Sequence, residues 1–286
     1  MAMIIAPRIH DLGGFNVRRV LPSSQARNVG PFVFVDHMGP HVFARGQAVD
    51  VRPHPHIGLA TITWLWEGRF MHRDSLGHEQ EIAPGEVNWM TAGSGIVHSE
   101  RTPQHLRGGE HPLHGMQTWV ALPRAHEEVA PAFEHYAAAA MPVLERPGLR
   151  LTVVAGRSFG LESPVAVFAD TLYAAVELDA GAELTVTAEH AERALYVFSG
   201  EVALDDAEAP SRHLVVLDPG RPARVRARTA ARLMVLGGEP LDGPRHLWWN
   251  FVHSSRERIE QAKQDWRAGR FGAVPGETEF IPLPEG

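Results

Sequence analysis

RPHPHIG, residues 52–58, precedes the strand-like run LATITWLW, and a second motif, GIVHSE, spans residues 95–100. Each motif carries two potential metal ligands at positions i and i+2, namely His54 with His56 and His98 with Glu100. Side chains at this spacing lie on the same face of an extended segment, so each pair can bind one ion. The four residues together predict one mononuclear metal site.

The donor set of the predicted site restricts the metal. Three neutral imidazoles and one carboxylate suit iron, manganese, nickel, copper or zinc, and an octahedral arrangement leaves two positions open for ligands. With 17 histidines in the chain, the first pair alone would also fit exposed or internally hydrogen-bonded side chains. The second pair, at the same spacing and behind several glycines, makes the metal interpretation the stronger one.

Composition and charge limit the class of protein. The chain has 286 residues, 44% hydrophobic and 21% charged, which is typical of soluble globular proteins and long enough for two domains. A net charge of −7 argues against direct binding of nucleic acid. Cysteine is absent, which excludes disulfides and thiolate metal sites. Since we recognise neither a signal peptide nor a membrane-spanning apolar run, we expect a cytoplasmic protein without a membrane partner.

Short runs rich in Val, Ile, Leu, Thr and Trp alternate with Pro and Gly along the chain, which is typical of strands joined by tight turns. We therefore predict an all-β fold of sandwiches or barrels. The clearest predicted strands are residues 59–66, 87–91, 117–122, 149–155 and 171–178.

Domain boundaries follow from a change in composition. Between Pro123 and Pro147 the chain is rich in Ala, Glu and Pro and lacks the alternation of a half-buried strand. We predict an N-terminal metal-binding domain at residues 1–130 and an inter-domain linker at residues 131–148. The C-terminal domain, with a short helix and a tail, is predicted at residues 149–286. A capping box of Ser254 and Glu257 marks the start of that helix, and Gly269 marks its end.

The spacing of the two metal motifs resembles that of the two half-motifs of a cupin. The second half-motif of a cupin has a glycine, five further residues, Pro-x-Gly and then a histidine. In this chain, Gly85, Thr91-Ala92-Gly93 and His98 stand at the corresponding positions and resemble this pattern. The stretches PHPHIG and WMTAGSGIVHSE, with GPFVFVDHMGP before them and NFVHSSRERIEQAKQDW after them, resemble the pirin family of two-domain cupins over most of the chain.

The resemblance implies two tandem cupin domains, that is, double-stranded β-helix or jelly-roll barrels, with a short C-terminal helix. It implies that the metal ligands are His54, His56, His98 and Glu100. Ala60 stands where many cupins have a glutamate ligand, so the carboxylate comes from Glu100. The implied cofactor is one divalent transition metal ion in the N-terminal domain. Fe(II) is the expected metal, and Ni, Cu, Mn or Zn are the alternatives.

The second half of the chain repeats the cupin spacing without its ligands. After Gly181 the ligand positions hold Thr187 and Glu189, and Arg193 stands where a glutamate would be. In agreement with the resemblance, we interpret the C-terminal domain as a structural repeat that binds no metal.

Two further patterns have simpler explanations. Residues 156–160 match the G-x-S-x-G nucleophile elbow, but LESPVAVF follows in place of the required helix, so we predict a turn and no catalytic role for Ser158. Arg224, Arg226 and Arg228 alternate on one face of a predicted strand. That face is either solvated or a docking surface for an acidic partner.

The resemblance implies two different functions. Pirin-family members are similar to quercetinases, which favours a metal-dependent dioxygenase that opens the ring of a small aromatic, flavonol-like substrate with dioxygen, and in which Glu100 is also the catalytic base. The alternative is a non-enzymatic, iron-dependent redox switch that binds a regulatory partner protein. A purely structural metal is a third interpretation.

Overall fold

Strands dominate the computed structural model, which describes residues 3–11, 15–205 and 207–285. The first strands are β1 (Met3–Ile5), β2 (Arg8–Asp11), β3 (Asn16–Leu21), β4 (Phe32–Phe43), β5 (Asp50–His56), β6 (Leu59–Glu67), β7 (Phe70–Asp74), β8 (Glu79–Ile82), β9 (Val87–Thr91), β10 (Ile96–Arg101), β11 (His111–Ala121) and β12 (Ala132–Tyr136). They are followed by β13 (Val143–Arg146), β14 (Leu149–Ser158), β15 (Leu161–Glu162), β16 (Thr171–Leu178), β17 (Glu183–Val186), β18 (Glu192–Ser199), β19 (Val202–Leu204), β20 (Ala207–Ala209), β21 (Leu214–Val216), β22 (Ala223–Ala227), β23 (Ala231–Gly238), β24 (His246–Trp248), β25 (Phe251–His253) and helix α1 (Arg256–Arg267).

The predicted all-β class is confirmed. The five strands expected from the sequence correspond to β6, β9, β11, β14 and β16, and the bounds of β9 and β16 agree with the prediction at both ends. These runs are rich in β-branched and aromatic residues, which pack well on a pleated surface. The described residues also form short 3-10 turns at Gln104–Leu106, Arg124–His126 and Ala138–Ala140.

By its internal contacts the chain divides into two compact units. The first unit contains residues 11–17, 38–138 and 242–286, and the second contains residues 1–10, 18–37 and 139–241. This differs from the predicted division at both ends of the chain, because strand β1 pairs with β21 of the second unit and the C-terminal helix belongs to the first unit. Such long-range pairings leave no periodic signal in the sequence.

The first unit contains a four-stranded sheet of order β5-β10-β7-β8, which packs against strands of a sheet of order β12-β9-β6-β11-β4-β3-β2. The apolar core between them draws on both sheets, with Phe70 and Ile82 from the smaller one and Leu65 and Leu113 from the larger one. Burial of such side chains contributes about 1.5–3 kcal/mol each. The smaller sheet carries both predicted metal motifs.

The second unit repeats this arrangement. An eight-stranded sheet of order β1-β21-β18-β23-β16-β14-β13, with β15 paired to β14, packs against a four-stranded sheet of order β17-β22-β19-β20. Its core includes Val153 and Val197 from the larger sheet and Val202 and Val225 from the smaller one. Within the described ranges none of the sheets closes into a barrel, so each unit is built as a sandwich of two open sheets.

The predicted linker, residues 131–148, contains two strands. Strand β12 pairs with β9 and strand β13 pairs with β14, each at the edge of its sheet. An edge strand has one neighbour and is largely exposed on both faces, which explains why the sequence there lacks alternation. The connection itself is the short segment around the turn Ala138–Ala140.

The predicted C-terminal helix is present, but its N-cap is Ser255 and not Ser254. The Ser255 hydroxyl accepts a hydrogen bond from the Arg258 backbone amide, whereas the Ser254 hydroxyl donates to the Glu127 carboxylate. The helix packs Ile259 and Ala262 into a buried cluster of the first unit. Among the residues that the structure describes, no helix has the length and apolar character needed to cross a membrane.

Candidate metal centre

Strands β5 and β10 bring the three predicted histidines together. In their antiparallel pairing His98 lies directly opposite His54, and Ile96 lies opposite His56. Opposite residues and residues two apart share one face of a sheet, so the three imidazoles converge. One ring nitrogen from each lies within 4.8 Å of the others, and all three side chains are buried.

Two backbone carbonyls orient the imidazoles. The Nδ1 of His54 lies 2.9 Å from the Arg52 carbonyl oxygen, and the Nδ1 of His56 lies 3.1 Å from the Asn250 carbonyl oxygen. A carbonyl oxygen only accepts, so each Nδ1 carries the proton and donates it. The Nε2 lone pairs of His54 and His56 are therefore left for a metal, as in many metal-bound histidines.

The protonation state of the cluster also suits a metal. Burial lowers the pKa of His54 to about 4, and burial together with the neighbouring imidazoles lowers the pKa of His56 and of His98 well below the ordinary value. All three rings are thus neutral near pH 7, and neutral imidazole is the form that binds metal ions.

The spacing of the nitrogens provides a direct test of fit. The Nε2 atoms of His56 and His98 lie 3.1 Å apart. Two nitrogens bound about 2.1 Å from one ion and at right angles would be about 3.0 Å apart. In addition, the Nδ1 of His98 is buried without a hydrogen-bond partner within the described part of the chain. We conclude that the three histidines fit one transition metal ion.

Glu100 lies beside the cluster but not within it. Between His98 and Glu100 the pairing of β10 with β5 shifts register, and Glu100 lies opposite Val51. The Thr63 hydroxyl lies 3.2 Å from a Glu100 carboxylate oxygen and 2.7 Å from the Gln117 side-chain oxygen. Burial raises the pKa of Glu100 to about 7, although hydrogen bonds from Thr63 and Gln117 oppose this rise.

The structure adds a histidine and an aspartate that sequence analysis did not select. His72 lies opposite Glu100 on the neighbouring strand β7, with its ring 5.4 Å from the ring of His98. Its Nε2 lies 3.0 Å from a carboxylate oxygen of the fully buried Asp74. His72 and Asp74 have the same i, i+2 spacing as the predicted ligand pairs. A single pair at this spacing is common in sequences, so it does not by itself indicate a functional site.

Comparison with known proteins agrees with this architecture. Sequence profiles of the family match at residues 14–120 (Pirin) and 173–272 (Pirin C-terminal cupin domain). A pirin-like protein of Caulobacter vibrioides is 48% identical over 288 residues, covering 99% of each chain. The chain belongs to the pirin family. Human pirin is 32% identical over 273 residues, which cover 93% of this chain and 91% of that protein.

Solved structures show the same tandem cupin fold for this pirin-family chain. The crystal structure of a quercetin 2,3-dioxygenase from Acinetobacter baumannii superimposes with a TM-score of 0.92 at 35% sequence identity, covering 99% of this chain and 95% of that one. The tandem cupin prediction and the family resemblance are therefore both confirmed.

In the second cupin of this pirin-family chain, an arginine is buried where a metal ligand would be expected. The Arg193 side chain is almost fully buried, and its guanidinium donates to the backbone carbonyls of Thr187, Asp218 and Arg221. Among the described residues the histidine cluster of the first unit is the single group with metal-binding geometry.

The G-x-S-x-G stretch forms a turn, as expected. Strand β14 ends at Ser158, and Phe159 adopts a φ of 54° before the short strand β15. The Ser158 hydroxyl donates to the Glu189 carboxylate, while the two nitrogens of His190 bond to Asp170 and to the Arg157 carbonyl. In the part of the chain that the structure describes, the Ser158 hydroxyl has a carboxylate and not a histidine as its hydrogen-bond partner, so this geometry differs from that of a serine hydrolase.

Proposed function

We propose that this chain is a metal-dependent dioxygenase that opens the central ring of flavonols of the quercetin type. The observation that carries the proposal is the convergence of three buried, neutral imidazoles beside a carboxylate with a raised pKa. The close structural similarity to a protein described as a quercetin 2,3-dioxygenase supports the choice of substrate class.

In this proposal His54, His56 and His98 hold one metal ion, with Fe(II) as the preferred metal, and Glu100 is the fourth ligand. The bound metal supplies Lewis acidity, which lowers the pKa of a hydroxyl group that it contacts. The backbone carbonyls of Arg52 and Asn250 keep two of the imidazoles in the ligating tautomer.

Glu100 has a second role as the base. Its carboxylate lies beside the imidazole cluster and is placed to accept the proton of a flavonol hydroxyl, whose acidity the bound metal would increase. Thr63 and Gln117 hold the carboxylate through hydrogen bonds, so its position is maintained while it changes protonation. The indole of Trp119, whose ring centre lies 5.0 Å from that of His56, provides an apolar wall that limits water at this end of the site.

The test is to load metal-free protein anaerobically with Fe(II), Ni(II), Cu(II), Mn(II) or Zn(II), and then to add quercetin and air. We expect the flavonol absorption to decrease and carbon monoxide to be released with at least one metal. The exposed His105 provides a control, because His105→Ala should retain the activity that His98→Ala loses. If none of the metal-loaded forms consumes quercetin and none releases carbon monoxide, the proposed activity is refuted.

One observation favours a second candidate function, an iron-dependent redox switch that binds a regulatory partner protein. In strand β22 Arg224 and Arg226 are exposed while Val225 is buried, so the guanidinium groups face outward as the alternation predicts. Such a face would suit an acidic partner. Binding assays should compare the ferrous, ferric and metal-free forms, each with and without Arg224→Glu and Arg226→Glu. A partner that binds all forms equally would argue against the switch.

A further inference from the structure

The C-terminal tail, residues 270–285, follows helix α1 and attaches to the strand that carries the first metal motif. The Ile281 backbone amide donates to the Pro53 carbonyl oxygen at 2.8 Å, directly next to His54 in the chain. The Ile281 carbonyl oxygen in turn accepts from the Trp266 indole at 3.0 Å. The tail is thus bonded both to the helix and to strand β5.

A second attachment joins the tail to strand β10 through Glu277. One carboxylate oxygen of Glu277 accepts from the Ser99 hydroxyl at 2.8 Å and from the Arg101 Nε at 2.8 Å, and the other accepts from an Arg101 terminal nitrogen at 2.6 Å. The Glu277 side chain is 8% exposed and that of Arg101 is 19% exposed, so the pair is shielded from solvent. Bidentate hydrogen bonds between an arginine and a carboxylate are among the stronger hydrogen bonds in proteins, because both partners are charged.

The residues that Glu277 binds flank Glu100 on both sides. Ser99 is fully buried and lies between His98 and Glu100, and Arg101 follows directly. Their side chains lie on the face of β10 opposite to that of His98 and Glu100, because successive side chains alternate. The tail therefore holds the outer face of the segment whose inner face carries two of the four proposed ligands.

The ladder between β10 and β5 is irregular at this place. The regular pairing between β10 and β5 is interrupted between His98 and Glu100, where the register shifts. The extra residue is on β5, which takes three steps from Val51 to His54 where β10 takes two, while β10 keeps its regular pairing with β7. Such a bulge removes ladder hydrogen bonds between β5 and β10, so contacts with the tail add support on this side. Arg101 also lies 3.5 Å from an Asp50 carboxylate oxygen on β5, so the Glu277 contact ties both strands together just beyond the irregularity.

We propose that Glu277 is a positioning residue for the metal site: by binding Ser99 and Arg101 it fixes the backbone of β10 and thereby orients His98 and Glu100 toward the metal. The inference rests on the proposed metal site, but not on the identity of the substrate. Residues that support metal ligands from outside typically contribute 10–100-fold to metal affinity.

The experiment is a Co(II) titration of the full chain, with Co(II) affinity and the visible spectrum of the bound ion as readouts. Glu277→Gln keeps the size of the side chain but removes its charge. We expect Co(II) affinity to fall about 10–100-fold, with a changed spectrum that reports altered ligand geometry. The exposed tail residue Glu279 gives the matched control, and Glu279→Gln should remain within about twofold of the wild type.

A second variant covers the case in which Glu277→Gln fails to fold. Ser99→Ala removes one hydrogen bond and leaves the Arg101 pair in place, so it should give a smaller loss of affinity in the same direction. If the folded Glu277→Gln protein shows wild-type Co(II) affinity and spectrum, the proposal is wrong, even where its melting temperature is lower. If only Ser99→Ala folds, its wild-type behaviour overturns the proposal in the same way.

The outcome is separable from that of the proposed function. A wild-type chain that binds Co(II) but never consumes quercetin with any metal removes the dioxygenase proposal and leaves the role of Glu277 standing. Loss of Co(II) affinity in Glu277→Gln alongside full quercetin turnover in the wild type supports both. A wild-type chain that binds no Co(II) overturns the positioning role together with the metal site.

Discussion

The Nε2 atoms of His56 and His98 lie 3.1 Å apart, although the two residues are on different strands and 42 positions apart in the chain. Without a metal, one of these nitrogens can donate a proton to the other, and a cation that both nitrogens bind would replace that hydrogen bond. We therefore expect metal binding to depend on both rings. His98→Ala should lower Ni(II) affinity by more than about 100-fold, since a direct ligand contributes more than a supporting residue.

Equilibrium dialysis with metal analysis checks this prediction, with His105→Ala as the control because its side chain is exposed and lies outside the two motifs. Equal Ni(II) affinity in His98→Ala and His105→Ala would contradict the assignment of the site.

Stability of the metal-free protein should depend on pH through His54. Its pKa is about 4 in the folded chain and 6.5 for an unperturbed imidazole. Between these pH values the unfolded chain binds more protons, so the free energy of unfolding increases with pH. A shift of this size corresponds to about 3 kcal/mol. His56 and His98 act in the same direction and the raised pKa of Glu100 acts against them, so the three histidines together should make the metal-free chain less stable at pH 4.5 than at pH 7.

Urea unfolding followed by tryptophan fluorescence measures this effect in the first unit alone, because all 7 tryptophans of the chain lie there. His54→Gln removes the titrating group and should reduce the difference between pH 4.5 and pH 7. If the variant shows the same pH dependence as the wild type, the effect has another source.

Glu100→Gln tests the carboxylate as base. The amide is close to isosteric with the carboxylate and can still bond to Thr63 and Gln117, but it cannot accept a proton. With three histidines retained, we expect the variant to bind metal while its kcat for quercetin falls about 10²–10⁴-fold. Steady-state oxidation measured together with metal content separates loss of the base from loss of the metal. Undiminished kcat in a metal-loaded variant would exclude Glu100 as the base.

Gly58, two residues after the end of strand β5, lies in close contact with strand β25. Its φ is +67°, and an added Cβ would lie 1.9 Å from the Val252 carbonyl oxygen. Gly46 has a φ of +84° but no atom within 4 Å of the added Cβ. Gly46→Ala should therefore cost about 1–2 kcal/mol from backbone strain alone, and Gly58→Ala at least about 3 kcal/mol because the steric clash is added.

Unfolding of both variants under the same conditions gives the comparison. A Gly58→Ala protein no less stable than Gly46→Ala would mean that strand β25 can move away from Gly58 without cost.

Local sequence patterns were sufficient to predict the strands and the histidines of the site. Alternating and continuous apolar runs report on burial within a few residues, which is why β9 and β16 agree with the prediction at both ends. The i, i+2 spacing of His54 and His56 fixes a shared face in any extended chain, and the tertiary pairing of β5 with β10 places the predicted His98 opposite His54.

The surroundings of these ligands depended on contacts that span most of the chain. Asn250 supports the ring of His56, and Glu277 binds Ser99, yet both belong to a C-terminal segment that composition alone assigned to the other domain. The sequence determined which side chains can bind a metal, because ligand chemistry and strand periodicity are local properties. Only the tertiary structure decided which distant backbone groups and carboxylates hold them in place, because those partners are selected by packing and not by spacing.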